Sequence, residues 1–277
     1  MLKYVAEVFS DFSPAIDEGM GVTPLLLHLY AFVIGLCIGS FLNVCIYRIP
    51  AELSIVRPAS ACPGCGMPIR WYDNIPVISY LLLRGRCRTC NNSISPRYPM
   101  VELLCGLFAL AVTLRFGWHL QSLIYFLFIA ALLVITFIDI DHRIIPDVIS
   151  LPGIPIGFAA SFLLPQVTWQ ASLLGIIIGG GCLYAVAWGY RLVTGKDGMG
   201  GGDIKLLAMI GAFIGWQGVL FTIMASSFAG TVVGLIMMIQ QRKGMKLAVP
   251  FGPFLAVGAI LYLFWGPRLI QWYLGLL

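Results

Sequence analysis

Long apolar runs, separated by short polar stretches, dominate the pattern along the chain. The runs lie at about 24–47, 99–116, 120–138, 148–164, 170–193, 204–216, 217–240 and 248–266. Most approach or exceed the ~20 residues that a helix needs to cross a bilayer. Strands of a closed membrane barrel would alternate apolar and polar residues, and these runs are continuous. The pattern predicts an all-α polytopic membrane protein with about eight transmembrane helices, of which the sixth is short.

Composition supports this fold class. Of the 277 residues, 60% are hydrophobic and only 10% are charged, whereas soluble domains carry about 25% charged residues. Residues 1–23 are mixed and acidic, without the cationic start of a signal peptide, and we interpret them as an extracytoplasmic N-terminal segment. The net charge of +5 does not indicate nucleic acid as a partner, because the basic residues follow membrane topology. The lipid bilayer is the expected surrounding.

Residues 48–98 differ from the rest of the chain. Seven arginines stand there against Glu52 and Asp73, and prolines are frequent. We predict a small cytoplasmic domain inserted between transmembrane helix 1 (24–47) and a larger membrane domain (99–277). With this domain in the cytoplasm, that side holds 14 of the 17 lysines and arginines, as the positive-inside rule requires.

Four cysteines in the inserted domain form a regular pattern. Cys62 and Cys65 make one C-x2-C pair, Cys87 and Cys90 make another, and twenty-one residues separate the pairs. This spacing is typical of a structural zinc site, in which four thiolates close a tetrahedron. A domain of about 50 residues has little core of its own, so a metal would supply stability. Redox pairing and a different metal are the alternatives. The other cysteines, Cys37, Cys45, Cys105 and Cys182, are expected to be small core residues.

Two acidic stretches lie where apolar runs end. Asp139 follows the run 120–138, and Asp203 follows a glycine cluster and opens the run 204–216. Ionisable groups at a membrane boundary are energetically expensive and indicate function. Two adjacent carboxyl groups can share a proton, so that the pair activates water as a base and polarises a carbonyl as an acid. Asp139 and Asp203 are therefore the predicted catalytic dyad of an aspartyl peptidase.

Other interpretations of these acids stay open on spacing alone. Asp141 is the chief alternative to Asp139. Asp147 comes just after a proline at a helix start, which fits an N-cap, and Asp197 in a lysine-containing loop is expected to be solvated. A transporter or ion pathway with intramembrane carboxylates and a regulatory zinc module is equally consistent with the pattern.

Competing chemistries find less support. The glycines before Asp203 would suit a phosphate-binding loop, but the carboxylate repels phosphate and no Gly-Lys-Ser/Thr follows. The three histidines, His28, His119 and His142, are scattered along the chain, and no serine has an evident histidine and aspartate set.

Five motifs in this order resemble the type IV prepilin peptidases, also called prepilin leader peptidase/N-methyltransferases. They are Gly39-Ser40-Phe41-Leu42-Asn43-Val44 with Arg48-Ile49-Pro50, the cysteine quartet, Arg97-Tyr98-Pro99 with Glu102-Leu103, Ile138-Asp139 to Pro146-Asp147, and Gly202-Asp203-Ile204-Lys205. Together they span most of the chain.

The resemblance implies an aspartic endopeptidase of the bacterial inner membrane that serves type IV pili or type II secretion. Such an enzyme cleaves the basic leader from prepilin and pseudopilin precursors at the cytoplasmic face. The catalytic aspartates carry over onto Asp139 and Asp203. Members with the four-cysteine domain also methylate the new N-terminus with S-adenosylmethionine, for which this sequence shows no independent motif. Ser40, Asn43, Arg48 and Glu102 are candidates for that second activity or for domain docking.

Overall fold

The computed structural model describes residues 24–195, 200–241 and 250–274. The α-helices there are α1 (Pro24–Arg48), α2 (Ile78–Leu82), α3 (Arg97–Phe116), α4 (Leu120–His142), α5 (Asp147–Ala160), α6 (Trp169–Thr194), α7 (Gly201–Gln241) and α8 (Gly252–Leu274). One 3-10 helix, Trp71–Asn74, precedes α2. Within the described ranges, extended structure is limited to two isolated bridges. The predicted all-helical class is confirmed, and the acidic segment 1–23 lies outside the described residues.

Five helices are long and apolar enough to cross a membrane. They comprise Leu25–Arg48, Arg97–Phe116, Leu120–His142, Trp169–Thr194 and Gly201–Met237. Many of their large apolar side chains point outward, as lipid-facing residues of a membrane protein do. The prediction of a multi-pass membrane protein is confirmed.

Two shorter apolar helices, Asp147–Ala160 and Gly252–Gly266, accompany these five. The first of them, α5, has 14 residues, and the predicted run 148–164 overestimated it. After Ala160 the chain forms a turn in which the Leu163 and Leu164 amides both donate to the Ala160 carbonyl, and Pro165 follows, which has no amide hydrogen with which to continue the helix.

Helix α7 is interrupted at Gly215. The φ of Gly215 is 73°, a left-handed conformation that glycine adopts without steric penalty. The break lies one residue before the end of the predicted run 204–216. Residues 201–241 therefore consist of two helical segments.

The chain divides into two compact units, Met1–Val134 and Ile135–Leu277, and the boundary falls inside α4. In the first unit, α1 and α3 approach closely at small residues. A Cβ on Gly35 would lie 2.6 Å from the Ala109 Cβ, and one on Gly39 would lie 2.6 Å from the Glu102 Cα. Small residues spaced four apart allow this backbone contact between membrane helices.

In the second unit, α7 packs against α5, α6 and α8. Glycines again set the distance, since a Cβ on Gly175 of α6 would lie 2.3 Å from the Gly211 carbonyl oxygen of α7. The Ser172 hydroxyl donates across the same contact to the Ala212 carbonyl at 2.8 Å. These contacts fix α7, which carries Asp203 in its first turn, and α7 packs in turn on α5, which begins at Asp147.

The expectation for the four isolated cysteines is half correct. Cys45 and Cys105 are buried, but Cys37 and Cys182 are exposed. Cys37 lies midway between Gly35 and Gly39, and residues two apart on a helix point in opposite directions. The face that carries Cys37 is therefore turned away from α3, and the core prediction for Cys37 and Cys182 is wrong.

Candidate active site and metal-binding module

The four predicted metal-binding cysteines converge. The Sγ atoms of Cys62, Cys65, Cys87 and Cys90 all lie within 4.8 Å of one another, and those of Cys62 and Cys90 are 3.7 Å apart. Around a tetrahedral zinc ion with Zn–S bonds of about 2.3 Å, neighbouring sulfurs would stand about 3.8 Å apart. The geometry of the quartet fits such an ion.

The two cysteine pairs sit in loops of the same form. In the first loop the Cys62 amide donates to the Met67 carbonyl and the Gly66 amide donates back to Cys62. In the second loop the Cys87 amide donates to the Asn92 carbonyl and the Asn91 amide donates back to Cys87. Gly66 and Asn91 both have positive φ, and an isolated bridge closes each loop at the same relative positions, Ala61 with Pro68 and Arg86 with Ser93. The four sulfurs are thus presented by one loop design used twice.

Backbone amides prepare at least one of these sulfurs for a cation. The N–H groups of Cys90 and Thr89 lower the pKa of the Cys87 thiol to about 6, which favours the thiolate that metals bind. The pKa of Cys90 is raised to about 11: the Asn92 amide acts to lower it, but desolvation and hydrogen bonds with the other sulfurs outweigh that effect. The thiols share protons among themselves, and a divalent cation would replace those protons.

Two side chains, Arg48 at the end of α1 and Glu102 of α3, hold the inserted region 48–98, and Asn43 joins the two helices. Asn43 donates to the Tyr98 carbonyl at 3.0 Å, and Arg48 donates to the carbonyls of Ser54 and Pro58. Glu102 is buried and accepts a hydrogen bond from the Val77 amide at 2.8 Å, with the Ser40 hydroxyl as a second partner. The Arg48 and Glu102 contacts are of the docking kind, since they fix the module to the ends of two membrane helices, whereas the Asn43 contact joins α1 to the first turn of α3.

Asp139 and Asp141 have opposite environments. Helix α4 continues one turn beyond the predicted run 120–138, so both aspartates lie on the same helix. Residues two apart on a helix point in opposite directions. Asp139 is accordingly 4% exposed, whereas Asp141 lies on the exposed face.

The Asp139 carboxylate is held by the start of α8. The Gly252 amide donates to Asp139 Oδ2 at 2.9 Å. A Cβ on Gly252 would lie 2.6 Å from the same oxygen, so only glycine fits at this distance. The φ of Gly252 lies outside the left-handed region, so the backbone conformation does not require glycine at this position. The close contact with Asp139 does require it.

Asp203 lies in the first turn of α7 and is half-buried. Its neighbour Gly202 packs on Ile145, and a Cβ on Gly202 would lie only 2.9 Å from the Ile145 Cβ. This contact places the start of α7 against the loop between α4 and α5. The carboxyl groups of Asp203 and Asp139 are close enough for their charges to repel each other. The two predicted catalytic acids therefore share one end of the second unit.

Asp147 does not act as an N-cap, and that interpretation is wrong. Pro146 occupies the cap position, and Asp147 is the first residue of α5. Both Asp147 carboxylate oxygens instead accept hydrogen bonds from Lys205 Nζ at 2.8 Å. The ion pair ties the start of α5 to the start of α7, next to Asp203. Asp197 lies outside the described residues.

Gly252 is the part of this site that sequence reasoning missed. It stands in Pro250-Phe251-Gly252-Pro253, at the start of the apolar run 248–266. A glycine between two prolines at a helix start indicates a fixed turn. That signal marks a constrained backbone, but it does not reveal the contact with Asp139.

Comparison with known proteins gives consistent matches over most of the chain. Residues 33–116 match the bacterial peptidase A24 N-terminal domain, and residues 126–235 match the type IV leader peptidase family. No solved structure matches the chain.

Curated relatives share the same name. The prepilin leader peptidase/N-methyltransferase of Stutzerimonas stutzeri is 39% identical over 280 residues, covering 93% of this chain and 97% of the relative. The protein of the same name from Pseudomonas aeruginosa is 38% identical, and the match covers 91% of this chain and 94% of the relative. The one from Myxococcus xanthus is 42% identical, and the match covers 79% of this chain and 65% of the relative. On these matches, this chain belongs to the type IV leader peptidase family.

Proposed function

We propose that this protein is a membrane aspartic endopeptidase that removes the leader peptide from type IV prepilins and pseudopilins and methylates the new N-terminus. The observation that carries the peptidase proposal is the placement of Asp139 and Asp203 at the same end of the second unit, Asp139 beside the start of α8 and Asp203 in the first turn of α7. The names of the relatives, prepilin leader peptidase/N-methyltransferase, support both activities. The burial of Asp139 and the exposure of Asp141 favour Asp139 as the partner of Asp203.

The proposed reaction is hydrolysis by a carboxyl pair. The ionised member removes a proton from water as the water oxygen attacks the scissile carbonyl carbon. The protonated member donates its proton to the carbonyl oxygen, and the tetrahedral intermediate then collapses as the leaving amine is protonated. The Gly252 amide donates to Oδ2 of Asp139, and in the proposed reaction the remaining oxygen of that carboxylate acts on the reacting atoms.

The proposed topology places this site at the cytoplasmic face of the bacterial inner membrane. Five long apolar helices and two shorter ones make seven, and the break in α7 divides one of the five long helices into two segments. This arrangement supports eight crossings. In this arrangement residues 1–23 are extracytoplasmic, 24–47 form helix 1, 48–98 form the cytoplasmic module and 99–277 form the membrane peptidase domain. A precursor whose apolar helix lies in the bilayer then presents its leader at the depth of the two aspartates.

We propose zinc as the metal of the module. The sulfurs of Cys62, Cys65, Cys87 and Cys90 would hold it, and four thiolate ligands leave no position open for water. The ion would act as a structural crosslink. Redox pairing is disfavoured, because four sulfurs within 4.8 Å of one another suit one tetrahedral ion.

S-adenosylmethionine is the proposed methyl donor, as the name of the relatives implies. We assign no residue of the described chain to it. Arg48 and Glu102 contact the module, Ser40 bonds to Glu102, and Asn43 joins α1 to α3, and these contacts account for the four residues without a cofactor.

Purified protein incubated with a pilin precursor tests the proposal. With and without S-adenosylmethionine, intact mass reports leader loss and methyl addition separately. We expect Asp139→Asn and Asp203→Asn to abolish cleavage while the fold and metal content persist. Asp141→Asn, the matched control on the same helix, is expected to retain most of the activity.

Two outcomes would contradict the dyad. Cleavage that persists in Asp139→Asn or Asp203→Asn would remove that residue from the mechanism. An inactive Asp141→Asn beside an active Asp139→Asn would move the dyad to Asp141 and Asp203. The family matches do not favour the transporter alternative. Solute flux in liposomes without precursor cleavage would support it.

A further inference from the structure

Helix α2 of the inserted module has its apolar side turned outward. Its small polar residue Ser79 is buried, and the Ser79 hydroxyl donates to the Tyr72 carbonyl and accepts from the Ile75 amide. Leu81 is 66% exposed and Leu82 is 77% exposed. A short helix on a water-soluble domain would show the opposite arrangement.

The exposed residues of α2 lie on one side of the helix. Ile78, Leu81 and Leu82 stand three and four residues apart on α2 and are all exposed, and Ile75, which precedes α2, is exposed as well. Trp71, in the preceding 3-10 helix, is 81% exposed. We call these five residues the α2 stripe. An exposed apolar cluster of this kind indicates a surface that another phase or molecule covers.

A hydrogen bond fixes the depth of this stripe. The Val77 amide, directly before α2, donates to Glu102 at 2.8 Å. Glu102 lies five residues beyond Arg97, where α3 begins, which corresponds to roughly 7.5 Å along the helix axis at 1.5 Å per residue. The start of α2 is therefore held beside a part of α3 that already belongs to the membrane-spanning segment.

The charges around the stripe suit a lipid headgroup layer. Arg84 and Arg86 follow α2 directly, Arg70 precedes the 3-10 helix, and all three are exposed. Cationic side chains flanking an apolar helical face, with tryptophan at the boundary, are typical of segments that lie in the membrane interface. Arginines near the surface are attracted to anionic headgroups.

We propose that the α2 stripe inserts into the interfacial layer of the same bilayer that α1 and α3 cross, with Arg84 and Arg86 on the phosphates of anionic lipids. The inserted module is then attached to the membrane in two ways: through the hydrogen bond between Val77 and Glu102 of α3, and through the contact of the α2 stripe with lipid. This inference does not depend on the peptidase or methyltransferase activity.

Photo-crosslinking in nanodiscs tests it. The full-length protein carries p-benzoylphenylalanine at position 82 in nanodiscs of phosphatidylethanolamine and phosphatidylglycerol. After irradiation, intact mass detects lipid adducts and crosslinked copies, and peptide mapping after digestion detects crosslinks within the chain, which leave the intact mass unchanged. The matched control carries the same probe at position 89, since Thr89 is an exposed residue of the second cysteine loop. We expect lipid adducts at position 82 to exceed those at position 89 several-fold.

Three results would overturn the proposal. The first is equal adduct yield at the two positions. The second is a crosslink from position 82 to another part of the chain, and the third is a crosslink to a second copy, because either shows that protein covers the stripe. A second variant guards against misfolding: Leu82→Gln is expected to keep its bound metal, since the Leu82 side chain leaves the module interior untouched. Loss of the metal in Leu82→Gln would place that side chain inside the module and contradict the inference.

Discussion

Replacing Gly252 with alanine is the sharpest test of how the site is held. The added Cβ would stand 2.6 Å from Asp139 Oδ2, and ordinary contact begins at 3.4 Å. The carboxylate must then retreat by about 0.8 Å from its present place. A misplacement of about 1 Å at a reacting group lowers the rate about 10²-fold, which corresponds to about 2.7 kcal/mol in the activation barrier.

The assay is steady-state cleavage of a pilin precursor in detergent or nanodiscs. We expect the loss in kcat, with KM nearly unchanged, because Gly252 contacts the carboxylate and the change leaves the bulk of the precursor's binding surface intact. Gly230→Ala is the matched control. A Cβ at that position would lie 3.8 Å from the Phe254 ring, which is ordinary contact with the same helix α8.

Two results would refute this reasoning. A Gly252→Ala enzyme with kcat close to that of the parent would show that the Gly252 contact does not position Asp139 during turnover. An equal loss in Gly230→Ala would show that any added methyl group near α8 disturbs the protein.

Two further predictions concern the module and the ion pair. Cys62→Ser should release the bound metal and loosen residues 48–98, as measured by elemental analysis and limited proteolysis; full metal content would contradict the four-sulfur site. Asp147→Asn should lower stability by about 0.2–1 kcal/mol, because Lys205 and Asp147 are both partly exposed. Thermal unfolding checks this value, with Lys205→Met as the partner variant, and a drop far beyond that range would indicate a larger role for the pair.

Much of the fold could be predicted because its signals are local. Continuous apolar runs predict membrane helices, and C-x2-C pairs with the right separation predict a metal site, since each depends on residues close in sequence. Gly215 lies near the predicted division between two runs because a glycine there permits a sharp change of direction.

The contacts that complete the site could not be predicted this way. Gly252 and Asp139 are 113 residues apart, and Lys205 and Asp147 are 58 apart. Such pairs form only when helices pack, so no periodic pattern marks them. The same holds for Asp147, which has the sequence context of an N-cap but finds a lysine on another helix. The extra turn of α4 was also missed, because Asp139 and Asp141 end the apolar run without ending the helix.

The duplicated cysteine loop has a consequence for the order of biosynthesis. The first loop leaves the ribosome with two sulfurs, and the second, with the other two, emerges only twenty-five residues later. A cation bound to the first loop alone would have two of its four ligands. The four-sulfur site would be complete only after Cys90 has been synthesised, just before α3 is translated. The captured ion would then shorten the free connection between α1 and α3, which lowers the entropy lost when the two helices meet. The concentration of metal available during translation would thereby determine how fast α1 and α3 associate.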